Sequence, residues 1–80
     1  MPFQWTYSFD LIDASGFRIM TAKAALPIEE VDRVAEAYLR MFVDVVEVRV
    51  TEQASVGYSL SWIATLGARG LERQMEIDYG

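Results

Sequence analysis

The sequence contains no cysteine and no histidine. Without cysteine there can be no disulfide and no thiolate metal site. Without either residue, Ser–His–Asp and Cys–His arrangements are gone, as are the usual zinc ligand sets and the commonest general base. Lysine occurs once, at Lys23, and 7 basic residues stand against 12 acidic ones, a net charge of −5. So few cations suit a chain poorly to bare nucleic acid, whose phosphates must be met by Lys and Arg. The same balance suits a basic protein partner. No glycine-rich phosphate loop is present. The segment Gly67-Ala68-Arg69-Gly70 has too few residues between its glycines and reads as a hairpin turn. Long apolar runs are missing too. The longest uncharged stretch, Gln53 to Ala68, is interrupted by serines and glycine and is too short to cross a bilayer. The first ten residues lack the basic region and apolar run of a secretion signal, so the expected location is the cytoplasm. No cofactor and no metal are expected.

What is present is a large stock of core. Of 80 residues, 52% are hydrophobic and 12% aromatic. A chain this short buries only roughly 60% of its unfolded surface, so a core this rich is what a single domain over residues 1–80 needs. No repeat, linker or low-complexity tract divides it.

The organising stretch is Pro27 to Phe42. Ile28, Val31, Val34, Ala35, Tyr38, Leu39, Met41 and Phe42 recur at spacings of three and four and share one side of a helix. Glu29, Asp32, Arg33, Glu36, Arg40 and Asp44 take the other. Pro27 suits the first turn, and Glu29 and Glu30 sit near the positive end of the helix dipole. Glu29–Arg33 and Glu36–Arg40 are spaced for exposed ion pairs. No glycine marks the end; the change to β-branched residues at Val43 does. An apolar stripe this wide needs a sheet beneath it.

Strands flank the helix. Phe3 to Ile12 alternates, with Phe3, Trp5, Tyr7, Phe9 and Leu11 on one face. Asp13-Ala14-Ser15-Gly16 is a turn in which Asp bonds nearby backbone and Gly takes positive φ. Phe17 to Ala24 returns, with Phe17, Ile19 and Thr21 expected inward. Val45 to Glu52 is a third strand, with Val46, Val48 and Val50 inward. Tyr58 to Leu66 is a fourth, with Tyr58, Leu60, Trp62, Ala64 and Leu66 inward. Leu71 to Tyr79 alternates except at Arg73, and its glycine-bounded approach favours a strand over a short helix. The fold class is therefore α+β in the order β-β-α-β-β-β: a five-stranded antiparallel sheet with one helix across one face. The first and fourth strands are expected to be internal. The aromatics Trp5, Tyr7, Phe9, Tyr58 and Trp62 share the valine face and read as core rather than as a base-stacking platform.

Carboxylates are the remaining candidates for function. On a strand, Glu72, Glu76 and Asp78 line up on one face, alternate residues about 6.8 Å apart, with Gln74 between. Glu47 and Asp10 point from the same outer face. DNA carries one phosphate per roughly 3.4 Å of strand, so the row imitates phosphate at about half density. It could meet an Arg- or Lys-lined groove, or serve only to keep an edge strand solvated. A calcium site would want carbonyl ligands from a loop, and none is evident. Asp10 and Asp13 read as turn acids. An outward patch of Met20, Ala22 and Ile63 is the candidate for a homodimer contact, the alternative being a monomer.

A short, acidic, cysteine-free α+β domain of this kind resembles the small phage- and mobile-element-encoded inhibitors known as anti-CRISPR proteins. The resemblance is in size, charge and expected architecture. That group shares no motif, so no residue role is carried over. It implies a non-enzymatic inhibitor that binds a Cas protein or its complex through an acidic surface and blocks DNA recognition or nuclease recruitment. An immunity or antitoxin-like protein that fills a basic toxin's cleft predicts the same surface. A small phage or cellular structural subunit predicts self-assembly through a sheet edge.

Overall fold

A computed structural model of the chain describes residues 5–53 and 60–76, Met75 and Glu76 by backbone alone. The elements run β1 (Trp5–Asp13), β2 (Arg18–Leu26), α1 (Ile28–Met41), β3 (Val45–Gln53), β4 (Leu60–Gly67) and β5 (Gly70–Glu76). They form one antiparallel five-stranded sheet in the order β2-β1-β3-β4-β5, with α1 on one face. The β-β-α-β-β-β reading holds, and β1 and β4 are internal. The order explains the helix. Both β2 and β3 pair antiparallel with β1, so they are parallel to each other, and parallel strands need a long crossover. α1 is that crossover. It lies mainly over β3 and β4, touches β1, and barely reaches β2.

Pro27 caps the helix in extended conformation, and the Glu30 N–H donates to its carbonyl at 3.0 Å. At the other end Phe42 leaves helical geometry without a glycine. Its N–H still donates to the Tyr38 carbonyl at 3.2 Å, and the Val45 N–H then donates to the Phe42 carbonyl at 3.1 Å. The buried stripe is Val31, Ala35 and Leu39. It packs on Tyr7, Phe9 and Leu11 of β1, Val48 and Val50 of β3, and Trp62 and Ala64 of β4. Ile28, Met41 and Phe42, placed on the apolar side by spacing, are exposed at the two ends of the helix. Tyr7 meets Trp62 edge-on at 6.3 Å between ring centres, and Phe9 meets Tyr38 at 5.7 Å. Such pairs add about 0.5–1.5 kcal/mol beyond burial.

Two strands depart from the expected phase. In β2 the inward positions are Met20, Ala22, Ala24 and Leu26, which pair with Leu11, Phe9, Tyr7 and Trp5. Phe17, Ile19 and Thr21 are exposed instead. The cause is a register shift: Leu11 pairs with Met20 but Ile12 with Arg18, so Ile19 is an extra residue. A second shift between Ile12 and Asp13 buries Val45 and leaves Val46 out, reversing the expected start of β3. The expected patch of Met20, Ala22 and Ile63 does not exist. Met20 and Ala22 are on the helix side, while Ile63 pairs with Arg49 on the other face. Leu60 and Leu66 are exposed at the ends of β4. Phe3, Tyr58, Ile77 and Tyr79 lie outside the described residues. No described helix is long and apolar enough to cross a membrane.

Candidate functional site

The face of the sheet away from α1 carries the carboxylates singled out by the alternation. Asp10 lies in β1 between Thr21 and Arg49, its cross-strand neighbours, and accepts a hydrogen bond from the Thr21 hydroxyl at 2.6 Å. Glu47 in β3 pairs across to Ile12. Glu72 in β5 pairs with Thr65, and its carboxylate folds back over Gly67, where a side chain would collide with it. Glu76 pairs with Ser61, so Glu72, Gln74 and Glu76 follow one another along the β5 edge as expected. Asp78 lies outside the described residues. Asp10 and Glu72 stand three strands apart, about 14 Å at ordinary strand spacing. The four described residues are thus two positions on the β5 edge, Glu72 and Glu76, plus two separate carboxylates, Asp10 and Glu47. Lys23 and Arg49 share the face with them.

Ion pairing separates this face from the helix. Glu30 pairs with Arg33 at 3.5 Å and Glu36 with Arg40 at 3.6 Å. Glu30 therefore holds the arginine expected for Glu29, one turn-step closer. Asp32 is held at 2.7 Å by Arg73. Three of the helix's four carboxylates are compensated within the molecule. Asp10, Glu47 and Glu72 take part in none of the ion pairs among the described residues.

Arg73 is the residue that sequence reasoning missed. It breaks the alternation of β5 because it occupies an inward position, paired with Ala64. Its guanidinium lies 4.7 Å from the centre of the Trp62 ring while its Nε and Nη2 both reach Asp32. A cation in a core-facing phase is the signal that could have pointed to a partner on the helix flank. The groove it closes, between α1 and β5, measures about 490 Å³ and is lined by Asp32, Arg33, Glu36, Leu71 and Arg73. Each of its charged groups is held in an ion pair, Asp32 with Arg73 inside the groove, Arg33 with Glu30 and Glu36 with Arg40 beside it.

Beneath Arg73, the Trp62 indole N–H and the Tyr7 hydroxyl are buried without a hydrogen-bond partner among the described residues. Burial first, and the nearby Glu52 carboxylate second, raise the Tyr7 pKa. No group of three His, Cys, Asp or Glu among the described residues is placed to hold a metal ion. No protein-family model, curated protein or solved structure matches the chain.

Proposed function

We propose that this chain is a non-enzymatic, cytoplasmic protein-binding inhibitor of the anti-CRISPR type, which meets a basic Cas component with the carboxylates of the outer sheet face and the β5 edge. The observation that carries the reading is the division of charge. Arginines of the chain itself compensate Glu30, Asp32 and Glu36, whereas Asp10, Glu47 and Glu72 take part in no ion pair among the described residues. Such carboxylates on the outer face favour encounter with a cationic surface and make the contact salt-dependent.

The test is capture from a lysate of a CRISPR-bearing host at low and high salt. A single basic Cas component, retained at low salt and released at high salt, is the expected result. Glu47→Lys with Glu72→Lys should weaken that binding about tenfold or more, the equivalent of about 1.4 kcal/mol. Glu29→Lys with Glu36→Lys should leave it nearly unchanged. Asp32 is not a suitable control, because its reversal would also release Arg73. Binding that is lost with the helix pair and kept with the sheet pair would refute the assignment of the face. Capture of a toxin would turn the reading to an immunity protein. A structural subunit is the second reading, and the open β2 edge is what favours it.

A further inference from the structure

The sheet has two open edges, and they are defended differently. An edge strand exposes unpaired backbone N–H and C=O groups and is normally guarded by charge, proline, a bulge or a cover. β5 presents Glu72, Arg73 and Gln74 in succession, with Arg73 bound to the helix. β2 presents Arg18 and Lys23 among Ile19, Met20, Thr21 and three alanines, and α1 barely covers it. Beside its turn end lies an apolar hollow of about 250 Å³, lined chiefly by Leu11, Ile19, Met20, Met41, Phe42 and Val43.

We infer that a second copy of this chain covers the β2 edge, the two β2 strands pairing antiparallel about a two-fold axis at Ala22 to give one continuous sheet. The register follows from the residues. A centre at Ala22 pairs the regular run Met20–Ala24 with itself and stops short of the extra residue Ile19, a ladder of about 17 Å. It sets Met20 opposite Ala24 of the other copy, large against small, on the helix side. It sets Lys23 opposite Thr21 of the other copy, whose hydroxyl is bonded to Asp10. Lys23 has no ion pair within its own chain among the described residues, and this register brings the Asp10 carboxylate of the other copy within its reach. A centre at Lys23 would instead oppose like charges. A centre at Thr21 would run the ladder into the extra residue, Ile19. Such an isologous contact closes on itself and leaves both β5 edges free.

Sedimentation and cysteine cross-linking test this, the chain's lack of cysteine making any introduced one unique. Wild-type protein should sediment at twice the chain mass in low and high salt alike, since added salt only screens the repulsion between two copies of net charge −5. That separates it from the salt-released contact with a basic partner. Ala22→Cys should oxidise to a covalent dimer, because opposed strand residues stand about 4.5–5.5 Å apart at Cα, within disulfide range. Ala24→Cys should not, its symmetry mate being four residues away along the ladder, about 14 Å. Circular dichroism confirms that both variants fold. A species of one chain mass at every concentration up to about 100 μM would overturn the inference. So would a dimer in which neither cysteine cross-links, or in which Ala24→Cys cross-links as readily as Ala22→Cys.

Discussion

The hairpins β1–β2 and β4–β5 flank the same central strand and each places a glycine at positive φ near its turn, yet only one is fastened to the rest of the fold. Gly16 and Gly70 take φ of +88° and +108° in their respective turns. In β4–β5 the inward-phased Arg73 joins the outermost strand to α1 through Asp32 and covers Trp62. In β1–β2 the outermost strand is small or apolar apart from Arg18, Thr21 and Lys23 and has no such tie among the described residues, while its turn is bonded around Asp13. A single cation in a core-facing position makes an edge part of a two-layer structure. An edge without one is left for another chain.

The sharpest way to break that contrast is Arg73→Ala. The ion pair is partly exposed and worth about 0.2–1 kcal/mol. The partly exposed guanidinium over Trp62 adds about 0.5–1 kcal/mol. The expected loss is about 1–2 kcal/mol in urea unfolding, after which the buried ring meets water. Asp32→Asn should recover only the ion-pair share, and a double-mutant cycle between the two residues measures that share directly. A loss below about 0.5 kcal/mol for Arg73→Ala, the ordinary surface range, would mean that β5 is no better anchored than β2.

Replacing each turn glycine asks whether the hairpins differ in their loops or only in their edges. An alanine at Gly16 or Gly70 meets nothing within 4 Å, so the cost is backbone strain alone. It should be about 1 kcal/mol at each position. Equal losses in thermal or urea melts would place the difference between the hairpins in their outer strands. A cost confined to one turn would place it in the turns.

The sequence carries these two regions with unequal clarity. In β1 the large side chains Trp5, Tyr7, Phe9 and Leu11 occupy one phase and polar residues the other through Asp10, so its buried face can be read directly. In β2 the run Ile19-Met20-Thr21-Ala22-Lys23-Ala24-Ala25 has apolar residues in both phases, and period two then selects neither face. The extra residue at Ile19 is a pairing event between strands and leaves no local mark. The same holds for the shift that exchanges Val45 for Val46. Strand order was partly legible, because a strand with a large aromatic inward is favoured in the interior. The placement of β3 at the centre depends on the crossover. Of the candidate site, the edge order Glu72-Gln74-Glu76 followed from alternation. The compensation of the helix acids did not, because Arg73 meets Asp32 from 41 positions away in sequence.

The smallest expected effect is confined to one hairpin and is read by pH. The Asp13 carboxylate accepts the backbone N–H groups of Phe17 at 2.9 Å and Ser15 at 3.0 Å, and the Ser15 hydroxyl at 3.1 Å. These bonds, that from Phe17 foremost, hold its pKa below the ordinary aspartate value of 3.8. A carboxyl whose pKa is lowered on folding stabilises the folded state above its unfolded value, and that stabilisation is lost as pH falls through the lowered one. The β1–β2 turn should therefore loosen in acid. The Gly67–Gly70 turn, where Glu72 lies against Gly67 but no carboxylate is bonded to the turn backbone among the described residues, should loosen less. Asp13→Asn keeps an oxygen acceptor without the charge, so its melting temperature should lie slightly below wild type at neutral pH and converge with it in acid. The local signal is the Gly16 amide resonance, which should titrate with an apparent pKa below 3.8 in the wild type and lose that titration in the variant, while Gly70 stays level in both. Melting curves that keep a constant gap between wild type and Asp13→Asn across the acid range, with a Gly16 resonance indifferent to pH, would show that charge at Asp13 contributes nothing to the turn.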